Sequence, residues 1–237
     1  GTVVGAIFGG IPTHRFGRKT TLFWIGILYT VSAVGSALAN DPIVFAVFRF
    51  IGGLGVGIST IAAPAYISEI APAKDRGRLV GLYQFNLVFG ILLAFLSNYM
   101  LSDIGENAWR WMMGVEAFPA IIFTFLCLGI PKSPRWLISN GEEAEAKTIY
   151  NKIDPEGSFE ALVEEINDNV NTQNKKESIF DKKYSFPLKL AFLVAFFNQL
   201  SGINAFLYYA PRIFEEGGLG ESTSLLSSVG IGVINLI

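Results

Sequence analysis

The amino-acid sequence predicts an all-α protein that crosses a membrane several times. Three observations predict this fold class: the composition is apolar, the charges are gathered in a few blocks, and the runs between these blocks have the length of a membrane span. Of the 237 residues, 51% are hydrophobic and 16% are charged, whereas a soluble domain carries about 25% charged residues. The sequence therefore excludes an ordinary soluble domain.

Five runs are uncharged or carry a single charge, and each has roughly the 20 residues that a helix needs to cross the hydrocarbon core of a bilayer. They lie at residues 20–40, 42–68, 79–102, 111–131 and 190–211. Residues 1–11 and 222–237 are also apolar but are too short for complete spans. We therefore expect a fragment that begins near the end of one span and stops within another.

The charges of the connections predict the orientation, because basic residues in short loops mark the cytoplasmic side. The loops "IPTHRFGRKT" (residues 11–20) and "APAKDRGR" (71–78) are basic. The connections "NDP" (40–42), "SDIGENAW" (102–109) and "RIFEEGGLGES" (212–222) are acidic. The alternation predicts a cytoplasmic first connection, after which the spans run outward and inward in turn.

The connection from residue 131 to residue 186 is too polar to span a membrane. Apolar residues recur at helical spacing in residues 140–154, and a second such set follows Ser158, a residue type that caps helices. We expect two short amphipathic helices and then a flexible joint at "NTQNKKES" (171–178). This linker is a brace or gate between two bundles, or a plain connector. The predicted domains are an N-terminal transmembrane bundle (1–130), a cytoplasmic linker (131–186) and the start of a C-terminal transmembrane bundle (187–237).

The last complete span, "FLVAFFNQLSGINAFLYYAPRIF" (192–214), places the amides Asn198, Gln199 and Asn204 around Ser201-Gly202. An unsatisfied amide in hydrocarbon costs several kcal/mol, so these groups must face protein, water or a ligand. The glycine is expected to interrupt the helix, as in the discontinuous helices that form transporter sites. Amides suit a ligand rich in hydroxyl groups, because they donate and accept without net charge. The alternative is hydrogen bonding between helices.

Arg49 and Glu116 are the two charged residues within the predicted spans. Helix counting places Arg49 about 10 Å and Glu116 about 8 Å from the outer ends of their spans. Ionisable residues at such depths are functional candidates, and a carboxylate near a cation could exchange a proton as a cavity opens and closes. The alternatives are a static ion pair or an arginine that reaches the outer surface.

Several other functions are excluded. The segment "GGLGVG" (52–57) lies in mid-span with no strand before it, so its glycines indicate close helix approach rather than a nucleotide site. His14 is the only histidine and Cys127 the only cysteine. We expect no metal site, no cofactor, no disulfide within the chain, no enzymatic activity and no nucleic-acid partner.

The sequence resembles the sugar porter family of the major facilitator superfamily over its whole length. The resemblance rests on "GGIPTHRFGRK" (9–19), "RFIGGLGVGISTIAAPAYISEIAPAKDRG" (49–77), "WRWM" (109–112), "PKSPRWL" (131–137) and "NQLSGINAFLYY" (198–209). It implies twelve spans in two six-helix bundles, of which this chain holds the end of the second span to part of the eighth. It also implies alternating access to a monosaccharide site between the bundles.

The resemblance implies roles for individual residues. Sugar contacts fall on Gln84, Gln199, Asn204 and Asn235, with Ile203 lining the pocket and Asn198 where the family usually has glutamine. Depth alone would make Gln84 a helix–helix contact, and the resemblance overrides that interpretation. The implied gating residues are the outer pair Tyr208 and Tyr209 and the cytoplasmic charge network Glu69, Arg76 and Arg135.

Two further departures from the family pattern affect that network. His14 stands where an acid is usual, and Lys132 replaces a glutamate. Glu116 and Arg49 match positions used in proton-coupled members, so we expect symport of a hexose or pentose with a proton in a bacterial inner membrane. A facilitative uniporter and a transporter-like sugar receptor remain alternatives, because the first span and the far end of the protein are absent here.

Overall fold

The computed structural model describes residues 1–72, 74–155, 157–173, 184–218 and 220–236. These residues form α-helices joined by short turns and one 3₁₀ turn at Ser102–Ile104, which confirms the predicted fold class. The helices are α1 (Thr2–Phe8), α2 (Gly10–Arg15), α3 (Arg18–Leu38), α4 (Pro42–Ile70), α5 (Arg76–Leu101), α6 (Ala108–Gly114), α7 (Ala117–Gly129), α8 (Pro134–Ser139), α9 (Glu143–Ile153), α10 (Phe159–Gln173), α11 (Ser185–Leu200), α12 (Ile203–Glu216) and α13 (Glu221–Leu236).

Five helical segments in the described part of the chain are long and apolar enough to cross a membrane, and they match the five predicted runs. Two of these segments are interrupted, namely α6–α7 and α11–α12. The sixth span begins at Ala108 rather than Trp111, and the seventh at Ser185 rather than Leu190. Apolar content locates the bilayer, whereas a helix can begin in the polar residues outside it.

The core of the N-terminal bundle lies between α3, α4 and α7. Leu22, Ile25, Ala62 and Cys127 are buried together there. Glycines allow α1 to approach α4 closely, because a methyl group at Gly57 would overlap the backbone of Thr2 and Ala6. This contact agrees with the interpretation of "GGLGVG" as a close-packing segment.

The C-terminal helices meet the N-terminal bundle along α5, against which α13 packs. A methyl group at Gly232 would lie 3.1 Å from the Cα atom of Leu92 and 3.3 Å from the ring of Phe95. The two helices therefore approach each other through a position without a side chain. Helix α12 packs in turn against α13.

The linker contains the two amphipathic helices predicted from the sequence, α9 and α10. Ser158 caps α10, since its Oγ accepts a hydrogen bond from the backbone N–H of Ala161 at 3.2 Å. The short helix α8 was not predicted, and Ser133 caps it by accepting from the backbone N–H of Trp136 at 3.2 Å. The core of the linker consists of Leu137, Ile138, Ala146, Phe159 and Ile166. The side chain of Val170 and residues 174–183, including most of the predicted joint, lie outside the described residues.

We predict that Gly57→Ala destabilises the protein by about 1–3 kcal/mol, because the added methyl group overlaps backbone that cannot move aside. Gly90→Ala is the matched control, since its added methyl group would meet nothing within 4 Å. The control should be neutral or stabilise by up to about 1 kcal/mol through helix propensity. Chemical unfolding of both variants in detergent measures the difference, and equal effects would contradict the close contact between α1 and α4.

Candidate functional site

Arg49 of α4 and Glu116, which precedes α7, form an ion pair with 3.2 Å between Nη1 and Oε2. The side chains are 44% and 51% exposed and face a cavity of about 570 Å³. They are the charged members of its described lining. This charged cavity is lined by Thr2, Tyr29, Ser32, Arg49, Gly52, Gly53, Val56, Glu116, Pro119, Ala120, Phe123 and Tyr208.

The position of Glu116 results from a break in the sixth span. Pro119 has no N–H, so it cannot donate to the Val115 carbonyl one helical turn earlier. The N–H of Phe118 donates to that carbonyl instead, at 3.1 Å. The chain leaves regular α-helix at residues 115 and 116, and Glu116 lies at this interruption beside Arg49.

The predicted break in the seventh span occurs at Ser201-Gly202. Gly202 has φ +74° and ψ 4°, a left-handed conformation that glycine adopts without steric cost. Ser201 Oγ donates to the Asn198 carbonyl at 2.6 Å, which closes the end of α11. Across the break, Asn204 Nδ2 donates to Gln199 Oε1 at 2.9 Å. The interruption therefore brings two of the three predicted amides into direct contact.

The described helices of this chain leave the three amides largely uncovered. Asn198 and Gln199 are exposed and Asn204 is partly buried. Asn198 and Gln199 line one end of a second cavity, the amide groove, of about 550 Å³ along α11.

The remaining sugar-contact candidates lie on three helices. Gln84 on α5 and Asn235 on α13 are exposed, and these two helices pack against each other. Ile203 begins α12 and is 47% exposed. Of the two predicted gate residues, Tyr208 lines the charged cavity, whereas Tyr209 is exposed outside its lining.

Glu69 at the inner end of α4 is held by residues that the sequence analysis did not select. Its Oε1 lies 2.7 Å from Arg18 Nη2, and its Oε2 accepts from Ser133 Oγ at 2.6 Å. The Arg18 and Glu69 side chains are 11% and 12% exposed. Together with Ser133, this inner pair joins the first connection (11–20), the end of α4 and the start of the linker.

Arg135, which was grouped with Glu69, pairs instead with Glu165 of α10 at 3.0 Å. Arg135, Glu69 and Glu165 all line a small cavity of about 280 Å³ between α4 and the linker. Arg76 begins α5, and its side chain lies outside the described residues. The structure therefore gathers two of the three predicted network residues at one cavity but gives each a different partner.

The two departures from the family pattern lie close to the linker. Lys132 contacts Glu145 at 3.0 Å and Glu142 at 3.5 Å, and its hydrogen bond to Glu145 raises the pKa of its ammonium group above the ordinary value. The side chain of His14 is exposed, while its carbonyl accepts from Trp136 Nε1 at 2.8 Å. The Trp136 ring fits over Gly17, where a methyl group would lie 3.1 Å from it.

Sequence reasoning missed Arg18, Ser133 and Glu165 for identifiable reasons. Arg18 was one of several basic loop residues that served only to assign orientation. Ser133 lies in a motif that was read for its charges. Glu165 lies on the polar face of an amphipathic helix, where an acid is ordinary. The position of Arg18 in the motif "GGIPTHRFGRK" (9–19) was the signal that could have marked it as a functional residue.

Comparison with known proteins identifies the family. The family model described as "Sugar (and other) transporter" matches residues 1–237. The chain belongs to this sugar transporter family. The family consists of transporters rather than enzymes, and with five apolar spans the chain is part of a multi-pass membrane protein.

Individual relatives agree with this assignment. The chain is 34% identical to the D-xylose-proton symporter of Escherichia coli (strain K12) over 260 residues, covering 100% of this chain and 53% of the relative. It is 36% identical to the D-xylose transporter of Levilactobacillus brevis over 242 residues, covering 100% of this chain and 52% of the relative. The sugar transporter chain thus spans about half the length of these relatives.

A solved structure matches the fold of this sugar transporter chain. The xylose transporter XylE from E. coli, in a partially occluded inward-open conformation, superposes with a TM-score of 0.86 at 32% identity. The match covers 99% of this chain and 57% of XylE. The fold is that of the major facilitator superfamily, as the sequence motifs implied.

We predict that Glu69→Gln destabilises the protein by about 3 kcal/mol, because it leaves Arg18 without its carboxylate in a nearly buried position. Glu165→Gln is the matched control, since it breaks the more exposed pair with Arg135 at the same small cavity and should cost at most about 1 kcal/mol. Unfolding in detergent measures both. Equal losses of unfolding free energy in the two variants would mean that the lower exposure of the Arg18–Glu69 pair does not make it more important for stability than the Arg135–Glu165 pair.

Proposed function

We propose that this chain is part of a monosaccharide:proton symporter that works by alternating access in a bacterial inner membrane. The observation that carries the proposal is the pair of accessible amides, Gln199 and Asn204, at the Gly202 break in the middle of an apolar span. Similarity to a D-xylose-proton symporter over the whole chain supports it. The proposed substrate is a hexose or pentose.

The sugar is bound by uncharged groups. Gln199 and Asn204 each offer a donor and an acceptor, and their mutual hydrogen bond fixes the orientation of both amides before a ligand arrives. A sugar hydroxyl can donate and accept in the same position, so it can join this pair without leaving either amide unsatisfied. Asn198 and Ile203 complete the seventh-span side of the proposed site, and Gln84 and Asn235 provide contacts from α5 and α13.

The proton is carried by the Glu116 carboxylate. In the ionised state Glu116 is held by Arg49 at 3.2 Å. Protonation removes the charge that attracts Arg49 and frees the guanidinium to find another partner. The cavity of about 570 Å³ at this pair gives a proton access from water.

The two events are coupled through the cavity that both bundles share. Arg49 and Glu116 belong to the N-terminal bundle, whereas Tyr208 belongs to the seventh span and lines the same cavity. Tyr208 lies four residues, or about one helical turn, beyond Asn204. A movement of α12 on sugar binding therefore changes the surroundings of the ion pair, and we assign Tyr208 and Tyr209 to the outer gate.

The cytoplasmic charges hold the inner side closed in this proposal. Glu69 fixes the end of α4 to Arg18 and Ser133, and Arg135 fixes α10 to α8 through Glu165. The Glu69–Ser133 contact ties the linker to the N-terminal bundle and the Arg135–Glu165 pair holds the linker together, which supports a brace rather than a plain connector. Arg76 is retained as a gate residue by its place in the family motif.

We predict that Asn204→Ala weakens sugar binding about 3- to 10-fold, because each lost hydrogen bond contributes about 0.5–1.5 kcal/mol. The full-length protein is titrated with D-xylose by tryptophan fluorescence or calorimetry. Asn86→Ala is the control, since Asn86 lies on α5 and donates its amide to the Leu82 carbonyl at 3.0 Å. Unchanged affinity for Asn204→Ala would remove this amide from the site.

We predict that Glu116→Gln abolishes pH-driven sugar accumulation in proteoliposomes but keeps sugar exchange within about threefold of wild type. Exchange needs no net proton movement, whereas accumulation does. A facilitative uniporter would give no accumulation even in the wild type. Equal loss of accumulation and exchange would count against a coupling role for Glu116.

A further inference from the structure

The outer end of the sixth span is attached to α3 by Arg110, a residue of the "WRWM" motif that the functions above leave unused. Its Nη1 donates to the Ala37 carbonyl at 2.9 Å, and its Nη2 donates to Asn40 Oδ1 at 2.9 Å. Ala37 lies in the last turn of α3, whose terminal carbonyls lack helical partners and attract cations. Arg110 therefore caps one membrane helix with a side chain from another.

Neighbouring contacts restrict the geometry of this attachment. The guanidinium carbon of Arg110 lies 4.5 Å from the ring centre of Trp109, and the same ring meets Phe45 of α4 edge-on. Gly114, at the end of α6, packs near Ala37, because a methyl group there would lie 3.3 Å from Ala37 Cβ. Both ends of the seven-residue helix α6 therefore contact the outer end of α3, one through Arg110 and the other through Gly114.

A second contact fixes α7 to the same helix further into the membrane. A methyl group at Gly26 of α3 would lie 3.1 Å from Thr124 Cα, so the two backbones approach closely there. Gly26 and Ala37 are about 17 Å apart along α3, and Gly114 and Thr124 are about 15 Å apart along the sixth span. Glu116 lies between these two attachments.

The outer attachment lies beside a weak point in the sixth span. Residues 115 and 116 keep helical φ and ψ, but Pro119 removes a hydrogen bond there, so fewer backbone bonds hold α6 and α7 in line. We propose that Arg110 is a positioning residue for the Glu116 carboxylate, holding α6 on α3 so that Glu116 stays within reach of Arg49. This inference rests on the proposed proton coupling and adds a residue that touches neither sugar nor proton.

The transport experiment uses full-length protein in proteoliposomes with D-xylose. Arg110→Gln should lower pH-driven accumulation about tenfold or more, while the KM of exchange stays within about twofold of wild type. Arg110→Lys retains the charge but not the planar fork, and it should recover part of the accumulation. Arg212→Gln is the control, because it removes an exposed outer arginine whose ion pair among the described residues is with Glu216, one helical turn away.

A double variant separates positioning from general damage. If Arg110 acts through Glu116, the variant Arg110→Gln/Glu116→Gln should exchange sugar at the same rate as Glu116→Gln alone. An additional loss of exchange in the double variant, or the same loss for Arg212→Gln, would overturn the proposal.

A cross-linking measurement tests the position of residue 116 without transport. In full-length protein with other accessible cysteines replaced, Arg49→Cys/Glu116→Cys is treated with a short bifunctional thiol reagent, and Cys127 is buried and does not compete. Adding Arg110→Gln should reduce the cross-linked fraction about twofold or more. An unchanged fraction would overturn the role of Arg110 even if wild-type symport is established. If Arg110→Gln reduces the cross-linked fraction but the wild-type protein does not accumulate sugar, the positioning role of Arg110 stands and only the proposed proton coupling is rejected.

Discussion

The absence of water from the bilayer core is the constraint on which this structure depends. Each polar group within a span must find a partner in the protein, in an aqueous cavity or in a ligand. The structure places three of these polar side chains at interruptions of helices. Glu116 lies where Pro119 breaks the sixth span, and Gln199 and Asn204 flank Gly202 in the seventh. Arg49, the partner of Glu116, lies instead within the regular helix α4.

Helix α3 is the helix of the N-terminal bundle against which α4, α6 and α7 all pack. It packs on α4 and α7 through the buried core around Ile25, meets Thr124 closely at Gly26, and receives Arg110 at its outer end. The same bundle is tied to the linker by the inner pair of Arg18 and Glu69. The N-terminal bundle and linker thus form one continuous set of contacts, while Tyr208 of the seventh span shares the lining of the charged cavity with that bundle.

Sequence reasoning recovered what depends on hydropathy, local backbone preference and depth. Apolar runs located five spans, Gly202 located a helix break, and counting residues brought Arg49 and Glu116 to similar depth. It failed where rotation about a helix axis decides the partner, because depth does not specify which face a side chain occupies. The pairing of Arg135 with Glu165 could not be read in this way, while its place in a network with Glu69 and Arg76, which the family resemblance implies, stays a prediction. The break at Glu116 was missed because its cause, Pro119, lies three residues downstream.

The contact between α5 and α13 has a mechanical consequence. At Gly232, α13 contributes only main chain, against which the side chains of Leu92 and Phe95 pack. Such a seam holds the two helices close together but offers little resistance when the angle between them changes. The junction between α5 and α13 can then act as a pivot, because Gly232 has no Cβ atom to obstruct the rotation of one helix against the other.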